Sequence, residues 1–199
     1  MKNDLIPLRQ VWPPDFVARY RAAGYWRGET FPALLRERAA RFAGRTAVVA
    51  GDTRWSYAEL ARRAERIGAG LLALGLVPGE RVVVQMGNTP EFYAVVWGLF
   101  RAGLIPVYAL AAHRITEIAH FARKSQASAY VAVQRYEGFD YRTLARELLA
   151  QPGVGVRHVV IAGEDAGEFT ALDALQPDAA LLPVGVPSAE PPLSEKIRN

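Results

Sequence analysis

The strongest constraint on this chain is the succession of blocks from residue 81 onward. RVVVQM (81–86) is β-branched and nearly all apolar, as a strand buried on both faces must be. GNTPEF follows, with Thr89 placed to cap a helix and Pro90 at its first position. The helix is expected to reach about Ala102, where Gly103 ends it, and LIPVYAL (104–110) is expected as the next buried strand. Two such strands joined by one helix make a right-handed βαβ unit. The alternation continues through a helix in RITEIAHFARKS, a strand in AYVAVQ, a helix in YRTLARELLA, a strand in RHVVIAG and a short helix in FTALDAL. The expected fold is therefore α/β, layered, with a mostly parallel sheet.

Upstream, Asp15 can cap a short helix that Gly24 stops, and Thr30 can cap a second, FPALLRERAARF. TAVVAG and TRWSY flank the Gly51-Asp52 turn as a hairpin. Ser56 and Glu59 have capping-box spacing, and Leu60, Ala64, Ile67, Leu71 and Leu74 recur at helical spacing up to Gly75. From Gln176 the periodicity dissolves into proline-rich chain. Three segments are expected: an N-terminal extension with a short helix (1–29), an α/β subdomain (30–175) and a proline-rich linker or truncated end (176–199).

Composition narrows the chemistry. The chain has 199 residues and no cysteine, which excludes disulfides, thiolate metal sites and a cysteine nucleophile. MKNDLIPLRQVWPPDF has no continuous apolar core, so no secretory signal is expected and a cytoplasmic location is. FYAVVWGLFRAGLIPVYALAA (92–112) imitates a membrane span. A central Arg101 would cost about 2.5–3.5 kcal/mol in lipid, and Gly103 and Pro106 divide the segment, so no membrane partner is expected. The net charge is +4, but the 21 arginines are scattered and no basic run carries interleaved aromatics, so no nucleic-acid partner is expected.

Gly68, Gly70 and Ala73 match G-x-G-x-x-A, yet they lie inside a helix rather than after a strand, and close helix packing is the better reading. There is no G-x-x-x-x-G-K-[ST] and no G-x-S-x-G. His113, His120 and His158 have no metal-ligand spacing. Loops at strand carboxyl ends are where open α/β sheets bind ligands, so Asn88, His113 and Arg114 are the loop candidates for substrate binding. No catalytic, cofactor-binding or metal-ligating residue is assigned.

WSYAELARRAERIGAGLLALGL and LFRAGLIPVYAL resemble two core motifs of the adenylate-forming enzymes. GYWRGETF, LLRERAARF, RVVVQ, NTPEFY, AHR followed by TEI-x-HFA, GFDYRTLAREL and HVVIAGE extend the resemblance to one branch, the 2,3-dihydroxybenzoate–AMP and salicylate–AMP ligases of siderophore assembly. It runs from Val11 to about residue 175. The resemblance implies the incomplete N-terminal part of the adenylate-forming fold. In the full-length family an aryl acid reacts with ATP and Mg²⁺ to give an aryl-adenylate and pyrophosphate, and the aryl group then passes to a carrier-protein phosphopantetheine thiol. The phosphate loop, aryl pocket, ribose-binding Asp and adenylation Lys of that family lie in later motifs that this sequence does not contain. A fragment inactive alone, binding no cofactor itself, is therefore expected. Its partners would be the remainder of the ligase or a related full-length enzyme and, for the parent family, an aryl carrier protein. An autonomous non-catalytic α/β scaffold or interaction module stays open as the alternative. Gly87 and Ala111 stand where the branch usually has proline, which is expected to loosen both loops.

Overall fold

The computed structural model describes residues 12–175, so the expected linker at 176–199 lies outside the described residues. Helix α1 (Pro14–Ala22) and helix α2 (Phe31–Arg41) precede a hairpin of β1 (Thr46–Ala50) and β2 (Thr53–Ser56). Helix α3 (Tyr57–Ala73) leads to β3 (Arg81–Gln85), α4 (Pro90–Arg101), β4 (Ile105–Ala109) and α5 (Ile115–Ser125). After β5 (Ala129–Val133) come a small hairpin of β6 (Arg135–Tyr136) and β7 (Phe139–Asp140), then α6 (Tyr141–Leu149), β8 (His158–Ala162) and β9 (Thr170–Ala171).

The main sheet is entirely parallel, in the order β4-β3-β5-β8-β9. The chain steps from β3 to β4 in one direction and then crosses back to β5 in the other. Right-handed crossovers therefore put α4 and α5 on opposite faces. Helices α2, α3 and α4 pack together on one face and α5 packs with α6 on the other. Val82, Val83, Val84, Tyr130, Val131, Val160 and Ile161 form the fully covered centre of the sheet.

Most local signals act as expected. Ser56 and Glu59 bond reciprocally at the start of α3, with Glu59 N–H donating to Ser56 Oγ at 3.2 Å and Ser56 N–H to Glu59 Oε2 at 2.8 Å. Thr30 and Thr89 cap α2 and α4. Arg101, the charge inside the apolar run, lies between α4 and α3, where its Nε donates to Glu65 at 2.8 Å. No helix among the described residues is long and apolar enough to cross a membrane.

Four features differ from expectation. Asp15 is not the cap of α1: Pro13 holds that position with no side-chain cap bond, because Pro14 already starts the helix, and Asp15 falls in the first turn. Strand β4 is not buried. It is a sheet edge, with Ile105, Tyr108 and Leu110 about half exposed or more, because β5 adds on the far side of β3. FTALDAL is not a helix. Thr170 and Ala171 pair with Val160 and Ile161, and only Asp173–Leu175 turn as a short 3-10 helix. The β6–β7 hairpin was not expected. It turns at Glu137 and Gly138, both in the left-handed region.

The amino ends of β3, β5 and β8 are joined by one carboxylate. Glu80 accepts from Ser128 Oγ at 2.7 Å, from Val77 N–H at 2.9 Å and from the Arg157 guanidinium at 2.7 Å. The Arg157 hydrogen bond above all holds the Glu80 carboxyl down at about 2. A carboxyl depressed in the folded state contributes stability above its unfolded pKa and loses it as pH falls through the folded value. Acid titration from about pH 4.5 to pH 2 is expected to remove about 1–2 kcal/mol through this group, allowing for solvent screening of half-exposed Arg157. Melting temperatures of Glu80→Gln should fall less steeply than wild type over that interval. Equal slopes would show that Glu80 is not the group responsible.

Candidate functional site

Strands β3 and β5 are neighbours, but the chain leaves β3 for α4 on one face and continues beyond β5 to α6 on the other. The carboxyl ends of these two strands therefore flank the topological switch point, the position where open α/β sheets take ligands. The loops at that end follow β3 (86–89), β4 (110–114), β5 and β8.

A single buried amide organises the first two loops. Gln85 ends β3 with no exposed surface. Its Nε2 donates to the Leu110 and His113 carbonyls, each at 2.9 Å, and its Oε1 accepts from the Tyr130 hydroxyl at 2.6 Å. The Tyr141 hydroxyl donates to the Ala111 carbonyl at 2.8 Å. Burial pushes both phenols above their ordinary pKa, so they remain protonated donors through neutral pH. The 110–114 loop is thus gripped through its carbonyls. The Ala111 oxygen is held by both Tyr141 and Arg114.

The three loop candidates fall at this end of the sheet. Asn88 is exposed between β3 and α4, and His113 and Arg114 lie between β4 and α5. His113 Nδ1 accepts from Leu110 N–H at 3.1 Å, which assigns the ring proton to Nε2. Arg114 lays its guanidinium 4.0 Å from the centre of the Phe139 ring and donates to the Ala111 and His113 carbonyls at 2.8 Å. Both residues are committed to the loop's own structure. Arg114 is the N-cap of α5, and Glu117, in the first turn, reaches back to accept from Arg114 N–H at 3.0 Å. His120 is exposed on α5 and His158 starts β8.

Gln85, Tyr130 and Tyr141 were missed by sequence reasoning. A lone amide inside VVVQM was the available signal, because a buried amide must find partners.

Gly87 is constrained by packing and not by its backbone angle. Its φ is not positive, and a Cβ there would collide with the Tyr136 ring of the β6–β7 hairpin. Tyr136 thus fills the space over the switch point. Gly87→Ala is expected to push the ring aside and to destabilise the chain by about 1 kcal/mol. Gly87→Ala/Tyr136→Ala should behave as Tyr136→Ala alone. Additive losses in urea melts would contradict that contact.

A cleft of about 450 Å³ opens beside this plug, on the α3–α4 face. Trp55, Arg63, Thr89, Arg135, Glu164 and Asp173 are among its walls.

Residues 35–196 match the AMP-binding enzyme family. The chain belongs to that family. It is 44% identical over 172 residues to the 2,3-dihydroxybenzoate-AMP ligase of Bacillus subtilis (strain 168), covering 86% of this chain and 32% of that protein. It is 45% identical over 165 residues to the salicyl-AMP ligase / salicyl-S-ArCP synthetase of Mycobacterium tuberculosis, covering 80% of this chain and 29% of the relative. The apo structure of Mycobacterium smegmatis MbtA superposes with a TM-score of 0.77 at 41% identity, over 90% of this chain and 32% of that one. The chain therefore spans about a third of the length of the relatives it matches.

A nucleoside triphosphate and Mg²⁺, which the AMP-binding family implies, do not fit the residues described here. The loop after β3 is covered at Gly87 by Tyr136, and the Thr89 hydroxyl is engaged as the cap of α4. Lys124, the one lysine among the described residues, is exposed near the end of α5. No three His, Asp or Glu side chains among the described residues come together as metal ligands. No catalytic step is assigned to this part of the fold.

Proposed function

We propose that this chain supplies the N-terminal part of an aryl-acid–AMP ligase and has no adenylating activity by itself. In the ligase, the carboxylate of 2,3-dihydroxybenzoate or salicylate displaces pyrophosphate from ATP, with Mg²⁺. The phosphopantetheine thiol of an aryl carrier protein then attacks the aryl-adenylate carbonyl, forming a thioester and releasing AMP. The observation that carries this reading is the identity of 44–45% to two aryl-acid–AMP ligases over at least four-fifths of this chain. The role of residues 30–175 is a scaffold: a parallel sheet whose carboxyl-end loops are held in place by Gln85, Tyr130 and Tyr141. Residues 1–29 are read as an extension to it and 176–199 as a linker, and the natural setting is the cytoplasm.

The test is radiolabelled ATP–pyrophosphate exchange with salicylate and with 2,3-dihydroxybenzoate. A polypeptide that continues this chain to the length of its relatives is expected to exchange only when one of those acids is present. Exchange driven instead by a fatty acid or an amino acid would overturn the aryl-acid assignment.

A further inference from the structure

Helix α4 is apolar on every side. PEFYAVVWGLFR carries charge only at Glu91 and Arg101, near its two ends, and Arg101 is turned onto Glu65 of α3 at 2.8 Å. Ala94, Val95, Gly98 and Leu99 form its buried face. The helical repeat puts Tyr93, Val96, Trp97 and Phe100 on the opposite face, where no charge falls. The other long helices put charge outward, at Glu37 of α2, Arg62 of α3, Arg123 of α5 and Glu147 of α6. Rings from neighbouring elements enlarge the apolar face. Phe31 of α2 lies flat on Phe100 with ring centres 4.6 Å apart, and 57% of it is exposed. Tyr93 is 45% exposed and meets Phe92, which in turn meets Tyr108 of β4, 53% exposed. A helix that is apolar all round belongs inside a protein, and a connected apolar patch of this kind marks a surface that other polypeptide covers.

We propose that the other two thirds of the ligase chain packs, side chain against side chain, on this face of α4 and on Phe31 and Tyr108 beside it. The inference rests on the ligase reading above. This subdomain makes up 32% of the Bacillus subtilis ligase, 29% of the Mycobacterium tuberculosis relative and 32% of the MbtA chain. In each of them a polypeptide about twice its size is therefore tethered to it, at an effective concentration that a free partner rarely reaches. The open edge of β4 narrows the mode of contact. Ile105 N–H donates inward to the Glu80 carbonyl at 2.9 Å, so the alternate residues Pro106, Tyr108 and Leu110 turn their backbone outward. Pro106 has no N–H, and the Leu110 N–H is taken by His113 Nδ1 at 3.1 Å. An added strand would find the Tyr108 N–H and little more. The partner has to pack on side chains, and the same block keeps two copies from joining edge to edge.

Hydroxyl-radical footprinting, read by mass spectrometry, compares the 199-residue chain with a polypeptide that continues it to the length of its relatives. In the 199-residue chain Phe31, Tyr93 and Tyr108 should label as exposed rings do. In the longer polypeptide they should label roughly five- to tenfold more slowly, as rings in a packed interface do. Equal labelling in the two proteins would overturn the proposal. So would rings already protected in the 199-residue chain: protection that grows with protein concentration gives the face to a second copy, and protection independent of concentration gives it to the chain itself. Tyr93→Lys supplies a second measurement. It should leave the melting temperature of the 199-residue chain within about 2 °C of wild type and lower that of the longer polypeptide by more. Equal shifts would contradict the contact. Neither readout needs turnover. Protection without aryl-acid-dependent exchange supports the surface and removes the aryl-acid assignment, whereas exchange without protection keeps that assignment and overturns the surface.

Discussion

Gln85→Leu is expected to lower stability by about 3–5 kcal/mol, which is roughly 8–15 °C in melting temperature for a chain of this length. Leucine fits the volume of the site but serves none of its polar groups. It strands the Tyr130 hydroxyl, which is fully buried, and removes the amide donors of the Leu110 and His113 carbonyls. Each buried group left unsatisfied costs about 1–3 kcal/mol. The loss should therefore exceed that of an ordinary polar-to-apolar change on a strand. Tyr130→Phe in the same chain removes one stranded group and should restore about 1 kcal/mol relative to Gln85→Leu alone. Urea unfolding of the four proteins in the cycle gives the coupling. If Gln85→Leu loses under 1 kcal/mol, the amide does not hold the 110–114 loop.

Gly98→Leu is expected to cost about 3 kcal/mol by forcing α3 and α4 apart. These two helices pack together over the sheet, and Gly98 is where their backbones come near. A Cβ at Gly98 would stand 2.9 Å from Ile67 Cγ2 and 3.0 Å from the Ala64 carbonyl. Ile67 and Ala64 are almost wholly buried, so neither can swing into solvent. A longer side chain then has to be accommodated by moving a helix. Gly98→Ala sets the same close approach against a gain of about 1 kcal/mol in helix propensity, so its net effect should be small and separate from that of leucine. The urea midpoint should order the three proteins as wild type and Gly98→Ala together, and Gly98→Leu far below. A leucine variant as stable as wild type would mean that the α3–α4 packing is not tight at this point.

The elements legible in the sequence were those with local causes. Ser56 with Glu59, Thr89 with Pro90 and the alternation of apolar runs each act within a few residues, and each gave its element. The misread elements depend on partners distant in the chain. LIPVYAL has the composition of a buried strand, and only the choice of β5 to pair on the other side of β3 leaves it at an edge. Thr170 and Ala171 lie in a helix-like stretch and become a strand because β8 offers its backbone to them. The site divides in the same way. The loops bearing Asn88, His113 and Arg114 could be placed at strand ends from periodicity alone. The partners of Gln85 could not, since Leu110, His113 and Tyr130 lie 25, 28 and 45 residues away. The constraint on Gly87 is a ring from a hairpin too short to show periodicity.

In the function proposed above, this chain carries the scaffold of an aryl-acid–AMP ligase and none of its adenylating chemistry. ATP–pyrophosphate exchange by the purified 199-residue chain, with saturating salicylate or 2,3-dihydroxybenzoate and Mg²⁺, tests it directly. No exchange above a no-acid control is expected from protein shown by its melt to be folded. Aryl-acid-dependent exchange from that chain alone would contradict it.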